Sequence, residues 1–145
     1  MEETKKIGIT IGELKAQALI LMGINNAMNI TGEEISGLKD DPTYGTYIYA
    51  MNGAINRCLS RMYMAGVIAQ EPARVLNTSS ETSDLAEYAP DITVTLASLI
   101  PLYIVGDVFA LDESSVAQNK RNEFEDALAS ISDKSGQVEL VYECE

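Results

Sequence analysis

Between Asp91 and Asp107 the chain runs for 15 residues, Ile92 to Gly106, without a single charge, and Pro101 sits inside that stretch. A spanning helix needs roughly 20 predominantly apolar residues, so this is a segment that other parts of the chain must cover rather than a membrane anchor. Ile92, Leu96, Leu99, Ile100 and Tyr103 form one row at helical spacing, and Ile104, Val108 and Leu111 carry the apolar surface further round the cylinder. That is the pattern of a helix packed on several sides. Pro101 cannot donate to the carbonyl of Ala97, so the helix either kinks there or a new helix begins with proline in its first turn. A kinked central pillar is the expectation, and on that reading Tyr103→Asp would unfold the domain by burying an uncompensated charge.

The remaining segments supply the cover. "ITIGELKAQALILMG" opens with Thr10 three residues before Glu13, the spacing of a capping box, and Ile11, Leu14, Ala18, Leu21 and Met22 recur helically before Gly23. Residues 24–40 are rich in Asn and Gly and read as a connection with at most a short helical turn. "DDPTYGTYIYAMNGAINRCLSRMYMAGVI" is the strongest helix: Asp41 can cap it, Pro42 suits its first turn, and Tyr44, Tyr47, Ile48, Met51, Ile55, Leu59 and Met62 trace one stripe. Gly45 and Gly53 each weaken it by about 1 kcal/mol relative to alanine and point to close helix approach.

Residues 70–91 change character, with Pro72 and Pro90 bracketing the polar "NTSSETSDLAEY", and are expected to form a long surface loop with a faint strand around Arg74 to Leu76. "LDESSVAQNKRNEFEDALASI" predicts a last helix, capped by Asp112 or Ser115, with Ala117, Arg121, Phe124, Leu128 and Ile131 spaced by three and four. "SDKSG" would end it. "QVELVYECE" then alternates Val138, Leu140 and Tyr142 with Glu139, Val141 and Glu143, the period of a short strand over 136–145. The predicted architecture is a single mainly α domain over 1–145, a small bundle of about four helices with a long polar loop and a short C-terminal β-strand.

Charge and chemistry narrow the function. With 22 acidic against 10 basic residues the formal net charge is -12, which repels phosphate backbones and anionic lipid unless the few cations cluster. A nucleic-acid reader is disfavoured, whereas a channel through which DNA slides without sticking is not. Cys58 and Cys144 form neither a disulfide framework nor a metal knuckle, which fits a reducing cytoplasm, and no apolar stretch near the start suggests a secretion signal. The chain has no histidine, so a histidine base, a Ser-His-Asp triad and a histidine metal site are excluded. Neither a GxxxxGK[ST] nor a GxGxxG loop is present. The acidic runs "DDP" and "NEFED" read as a helix start at Asp40 and Asp41 and a solvated face at Glu123, Glu125 and Asp126. No catalytic, metal-binding or cofactor-binding residue is expected.

Arg57 and Arg61 are four apart and therefore neighbours on one helix face. Either they dock an acidic surface of another subunit or, as is commoner, they pair locally within the domain. Tyr44, Tyr47, Tyr49 and Tyr63 would suit a base-stacking platform only with a basic groove around them; core or interface packing is the expectation. Cys58, flanked by stripe positions, reads as a small buried hydrophobe.

"LIPLYIVGDVF", the acidic turn "LDESS" and "RNEFEDAL", preceded by "AMNGAINRCLSRM", resemble in order and spacing the small helical head-tail connector proteins of tailed bacteriophages, also called adaptors or head-completion proteins. The resemblance covers about half of the chain. It implies a non-enzymatic virion protein of the neck, assembled in the host cytoplasm, whose copies form a ring between the portal protein and a tail or stopper protein. By the same resemblance the ring is twelvefold, DNA passes through it without sequence-specific binding, and no cofactor or membrane is involved. Interface candidates are Arg57 and Arg61, together with Val138, Leu140 and Tyr142 of the terminal strand, whose open edge suits addition to a sheet of a neighbour or of the portal. The alternative from a different class is a cytoplasmic regulatory or adaptor domain that binds a partner helix through an apolar surface; a small enzyme built on carboxylates and tyrosines is remote.

Overall fold

The computed structural model describes residues 7–22, 45–76, 80–110 and 114–144, and in the last helix it describes side chains as far as Ile131. Among these residues the protein is mainly helical. In chain order come α1 (Ile11–Leu21), α2 (Gly45–Met64), two single 3-10 turns (Ser80–Thr82 and Leu85–Glu87), a one-turn helix α3 (Val94–Ala97), α4 (Ile100–Val108) and α5 (Ser114–Cys144). The expected cap at Asp41 and Pro42, Tyr44 and the connection over 24–40 lie outside the described residues, as do the acidic turn at Asp112 and the side chain of Tyr49.

The uncharged stretch is the centre of the bundle, since α4 packs against α1, α2 and α5. Ile100, Pro101, Ile104, Val105 and Gly106 are buried within it. The expected kink is replaced by a break between two helices. The Thr93 hydroxyl accepts from the amide of Leu96 at 3.1 Å to start α3, which ends at Ser98, and α4 then begins with Pro101 in its first turn. A proline there removes an N–H that has no intrahelical acceptor anyway, so the restart is cheaper than a kink in an unbroken helix.

Helix α2 buries most of the stripe read from the sequence: Ile48, Met51, Ile55, Leu59 and Met62 are each 0–1% exposed, as is Cys58 beside them, while Tyr47 is half-buried. Its end is a Schellman motif. The amide of Val67 donates to the carbonyl of Met62 at 3.1 Å and that of Gly66 to Tyr63 at 3.0 Å, with Gly66 at φ 78°, where a Cβ is disfavoured. Close helix approach falls elsewhere than expected. A Cβ on Gly53 would meet only the flexible end of the Arg57 side chain, whereas one on Gly106 would stand 3.2 Å from Cβ of Arg121 and 3.4 Å from the carbonyl oxygen of Ala117. Gly106 is where α4 and α5 touch.

Residues 70–91 are not a surface excursion along their whole length. Val75, Glu81, Leu85, Ala86 and Ala89 are buried, while Arg74, Leu76 and Glu87 face outward. Two asparagines one turn apart on α2 hold the first part. Asn56 Oδ1 accepts from the amide of Val75 at 2.6 Å, and Asn52 Nδ2 donates to the carbonyl of Leu76 at 3.0 Å, so side-chain amides take the place of the neighbouring strand that Arg74–Leu76 would otherwise require. The second part is sewn to the N-terminus. Asp84 accepts from the amides of Ile7 and Gly8, Ile11 donates to the carbonyl of Ser83 at 3.0 Å, and Leu85 donates to that of Ile9 at 2.8 Å. Asp84 and Glu87 complete a capping box; at Thr10 the hydroxyl half forms, accepting from the amide of Glu13 at 3.1 Å. Beneath this seam Lys15 of α1 and Glu81 form an ion pair at 3.0 Å with side chains 0% and 1% exposed.

The terminal strand is corrected. Residues 136–144 are helical, the last turns of α5, and among the described residues no strand forms beyond an isolated bridge between Thr10 and Asp84. The row of Ala117, Arg121, Phe124, Leu128 and Ile131 continues by fours and threes through Ser135 to Val138 and Tyr142, so the same letters satisfy a helical period as well as an alternating one. Over nine residues the two cannot be told apart, and helix cooperativity carries the longer pattern through Gly136. No helix among the described residues is long and apolar enough to cross a membrane.

Candidate functional site

The outward side of α2 is defined by what its buried stripe leaves over: Arg57, Ser60, Arg61 and Met64 are exposed. Arg57 reaches α4, where its Nε donates to Asp107 Oδ2 at 3.0 Å and its Nη2 donates to the same oxygen. One turn later Arg61 Nη2 donates to Glu125 Oε1 of α5 at 2.8 Å. Arg121, from α5, donates to the carbonyl of Gly106 on α4. Tyr103 lies between them, half-buried, its ring edge-on to Phe124 with centroids 5.1 Å apart.

Two adjoining clefts share Arg61 and Tyr103. One, of about 320 Å³, is walled by Arg61, Asp107, Arg121 and Glu125; the other, of about 570 Å³, runs from Arg57 and Arg61 past Met64 to Arg74. All four arginines of the chain therefore converge on one face of a protein whose formal net charge is -12. Arg74 has no carboxylate partner among the described residues. Met64 beside it is 82% exposed.

The ion pairs on this face do little to hold the bundle together. The Arg57–Asp107 side chains are 56% and 31% exposed and the Arg61–Glu125 pair 43% and 44%, a regime in which such pairs contribute about 0 to 1 kcal/mol. A guanidinium has five N–H donors, and these pairs use two on Arg57 and one on Arg61, which leaves donors on the solvent side. Burial raises the hydroxyl pKa of Tyr103, with Asp107 adding to the effect, so the phenol remains a neutral donor. Beneath the face Cys58 is fully buried, and burial, aided by Glu125, pushes its thiol well above the ordinary value. It is a core residue, not a nucleophile.

Arg57 and Arg61 are thus together and exposed, and they make the local pairs that were the commoner of the two readings. Val138, Leu140 and Tyr142 lie in the last turns of α5, with side chains outside the described set. Arg74 and Arg121 reach this face only through the chain path that brings them beside α2, whereas Met64, three residues after Arg61 on α2 itself, could have been placed there from spacing. Tyr47 packs edge-on to Phe109 at 5.8 Å, as part of the core rather than a stacking platform. Among the described residues no group of three Cys, Asp or Glu is placed to hold a metal ion. A separate apolar groove of about 510 Å³ runs between α1 and α4, lined by Leu14, Ile20, Leu21, Ala97, Pro101 and Leu102 and rimmed by Glu13 and Gln17.

Comparison with protein-family models, with curated proteins and with solved structures finds no match to this chain.

Proposed function

We propose that this chain is a non-enzymatic structural subunit of a bacteriophage neck, whose copies form a ring between the portal protein and a tail or stopper protein and let DNA pass through. The observation that carries the reading is the way the three helical segments among those that carry the resemblance sit together. "AMNGAINRCLSRM" lies in α2, "LIPLYIVGDVF" spans α4, and "RNEFEDAL" lies in α5. These helices pack as one unit through α4, which contacts both α2 and α5 and meets α5 closely at Gly106, with Arg57–Asp107 and Arg61–Glu125 bridging their exposed side. A shared packing pattern is what the resemblance consists of, and a packed unit is what such a pattern specifies.

Two physical features support assembly. At about 1.5 Å per residue, the 31 residues of α5 measure about 45 Å, half as long again as the 20-residue α2, which suits a helix that reaches beyond its own subunit. An uneven distribution of charge, with all four arginines on one face and, among the described residues that line it, only Asp107 and Glu125 as acids, suits head-to-tail contact between copies, which closes into a ring when the rotation allows. Co-expression with the portal protein of the same genome, followed by electron microscopy, tests the proposal: rings seated on the portal are expected, and a portal that never acquires this chain refutes it. The α1–α4 groove favours the second reading, a regulatory domain that binds a partner helix, which would give a one-to-one complex and no ring.

A further inference from the structure

We infer that the arginine face of one copy is the docking surface for the last turns of α5, residues 138–144, of a second copy. The inference deepens the neck proposal by naming the contact between neighbours, and it rests on that reading only in taking another copy as the partner.

The face is built like a contact surface. Arginine, tyrosine and methionine are the residue types enriched where proteins meet, and here Arg57, Arg61, Arg74, Tyr103 and Met64 line one continuous cleft. Its charge is opposite to that of the molecule as a whole, so an acidic ligand is selected. The chain carries a matching segment. The helix backbone runs 13 residues past Ile131 to Cys144, about 20 Å. In those turns Glu139 and Glu143 stand one helical turn apart, among Val138, Leu140, Val141 and Tyr142. The C-terminal end of a helix is also the negative pole of its backbone dipole.

Spacing supports the match. Arg57 and Arg61 are one turn apart on α2, and Glu139 and Glu143 are one turn apart on α5, so two carboxylates meet two guanidiniums at the same interval. Guanidinium forks receive carboxylates bidentately, and the donors that Asp107 and Glu125 leave unused are available for this. Exposed Met64 offers the apolar residues of the segment a place to leave water. A nucleic-acid backbone is the weaker candidate, because the acidic remainder of the protein repels a polyanion while a short acidic helix end feels mainly the local field.

The test uses full-length chains in sedimentation velocity. The wild type should associate increasingly with concentration and dissociate in about 0.5 M salt, where screening shortens the reach of exposed charges. R74E, which alters no ion pair among the described residues, combined with R57Q, inactivates the face; E139K/E143K inactivates the helix end. Each variant, checked for native helicity by circular dichroism, should associate at least about tenfold more weakly than the wild type, as expected when opposite charges become like ones. Their equimolar mixture should give a dimer and nothing larger, because only one sound face and one sound helix end remain to meet.

A wild type that stays monomeric, variants that associate like the wild type, or a mixture that stays monomeric overturns the inference. So does a face variant whose only defect is in binding duplex DNA. The neck proposal fails separately: rings on the portal that form equally well with both variants leave it standing while the docking contact falls, and a mixture that dimerises without any ring on the portal does the reverse.

Discussion

The buried pair of Lys15 and Glu81 gives the sharpest stability test. The pair joins α1 to the 3-10 turn at Ser80–Thr82, with both side chains at most 1% exposed and 3.0 Å between Nζ and Oε1. Two charges taken out of water at this depth are tolerable only together. Lys15→Met removes the buried ammonium from the Glu81 carboxylate, and breaking a buried pair in this way costs about 3 to 5 kcal/mol. Glu81→Leu removes the carboxylate that faces the buried ammonium at 3.0 Å and should cost a similar amount. The double variant K15M/E81L replaces the pair with apolar groups of comparable volume, which is often neutral and sometimes stabilising, so it should lie within about 1 to 2 kcal/mol of the wild type. Urea unfolding monitored by circular dichroism reads all four proteins. With an m-value near 2 kcal/mol per molar, each single change lowers the midpoint by about 2 M. The double-variant cycle should then give a coupling energy of several kcal/mol. Single losses below about 1 kcal/mol, or losses that simply add in the double variant, would refute the claim that the loop is locked to α1 by this pair.

Other expectations follow from the same geometry. Gly106→Leu should separate α4 from α5 and cost more than the roughly 1 to 3 kcal/mol typical of overpacking, since the obstacles include the backbone of Ala117; midpoint shifts in urea against Gly106→Ala check this. In a Cys144→Ser background, Cys58 should react with a thiol reagent no faster than the protein unfolds. Its raised pKa means that the stability it contributes is fully present below the ordinary thiol value and is lost as pH rises through the folded one, so unfolding and labelling should accelerate together at alkaline pH. Tyr103→Asp, expected from sequence alone to unfold the domain, should instead leave it folded but weaker by about 1 to 3 kcal/mol, because the position is only half-buried and the cost comes from the lost ring contact and from repulsion by Asp107 and Glu125; thermal melts check this.

The parts of the fold that were legible in the sequence are those where one period runs long enough to exclude the other. The α2 stripe from Ile48 to Met62 is buried as read, and so are Ile92, Leu96, Leu99, Ile100 and Ile104 of the central row, although Tyr103 in that row is only half-buried and the row is split between two helices. Where the run is short the reading failed: nine residues at 136–144 alternate well enough for a strand yet extend the three-four row of α5. Pro101 reads from the sequence as a kink, and the structure restarts the helix instead, because the Thr93 cap and the turn at Ser98 and Leu99 end one helix before the next begins. The 70–91 stretch misled because its polarity is spent inward, with Asp84 on the N-terminal amides and Glu81 on Lys15, contacts made across more than 60 residues. The candidate face was half legible. Arg57 and Arg61 share one helix and could be paired from spacing, whereas Arg74 and Arg121 join them only through the packing of α2, α4 and α5 and the strap formed by Asn52 and Asn56.

Cryo-electron microscopy of the portal protein co-purified with this chain from the same genome addresses the neck assignment most directly. Closed rings of the chain on the portal's tail-side end are expected, with the α2–α4–α5 unit of each copy facing its neighbour. Bare portals beside a chain that remains monomeric, or that forms a one-to-one complex with an unrelated helix, would contradict it.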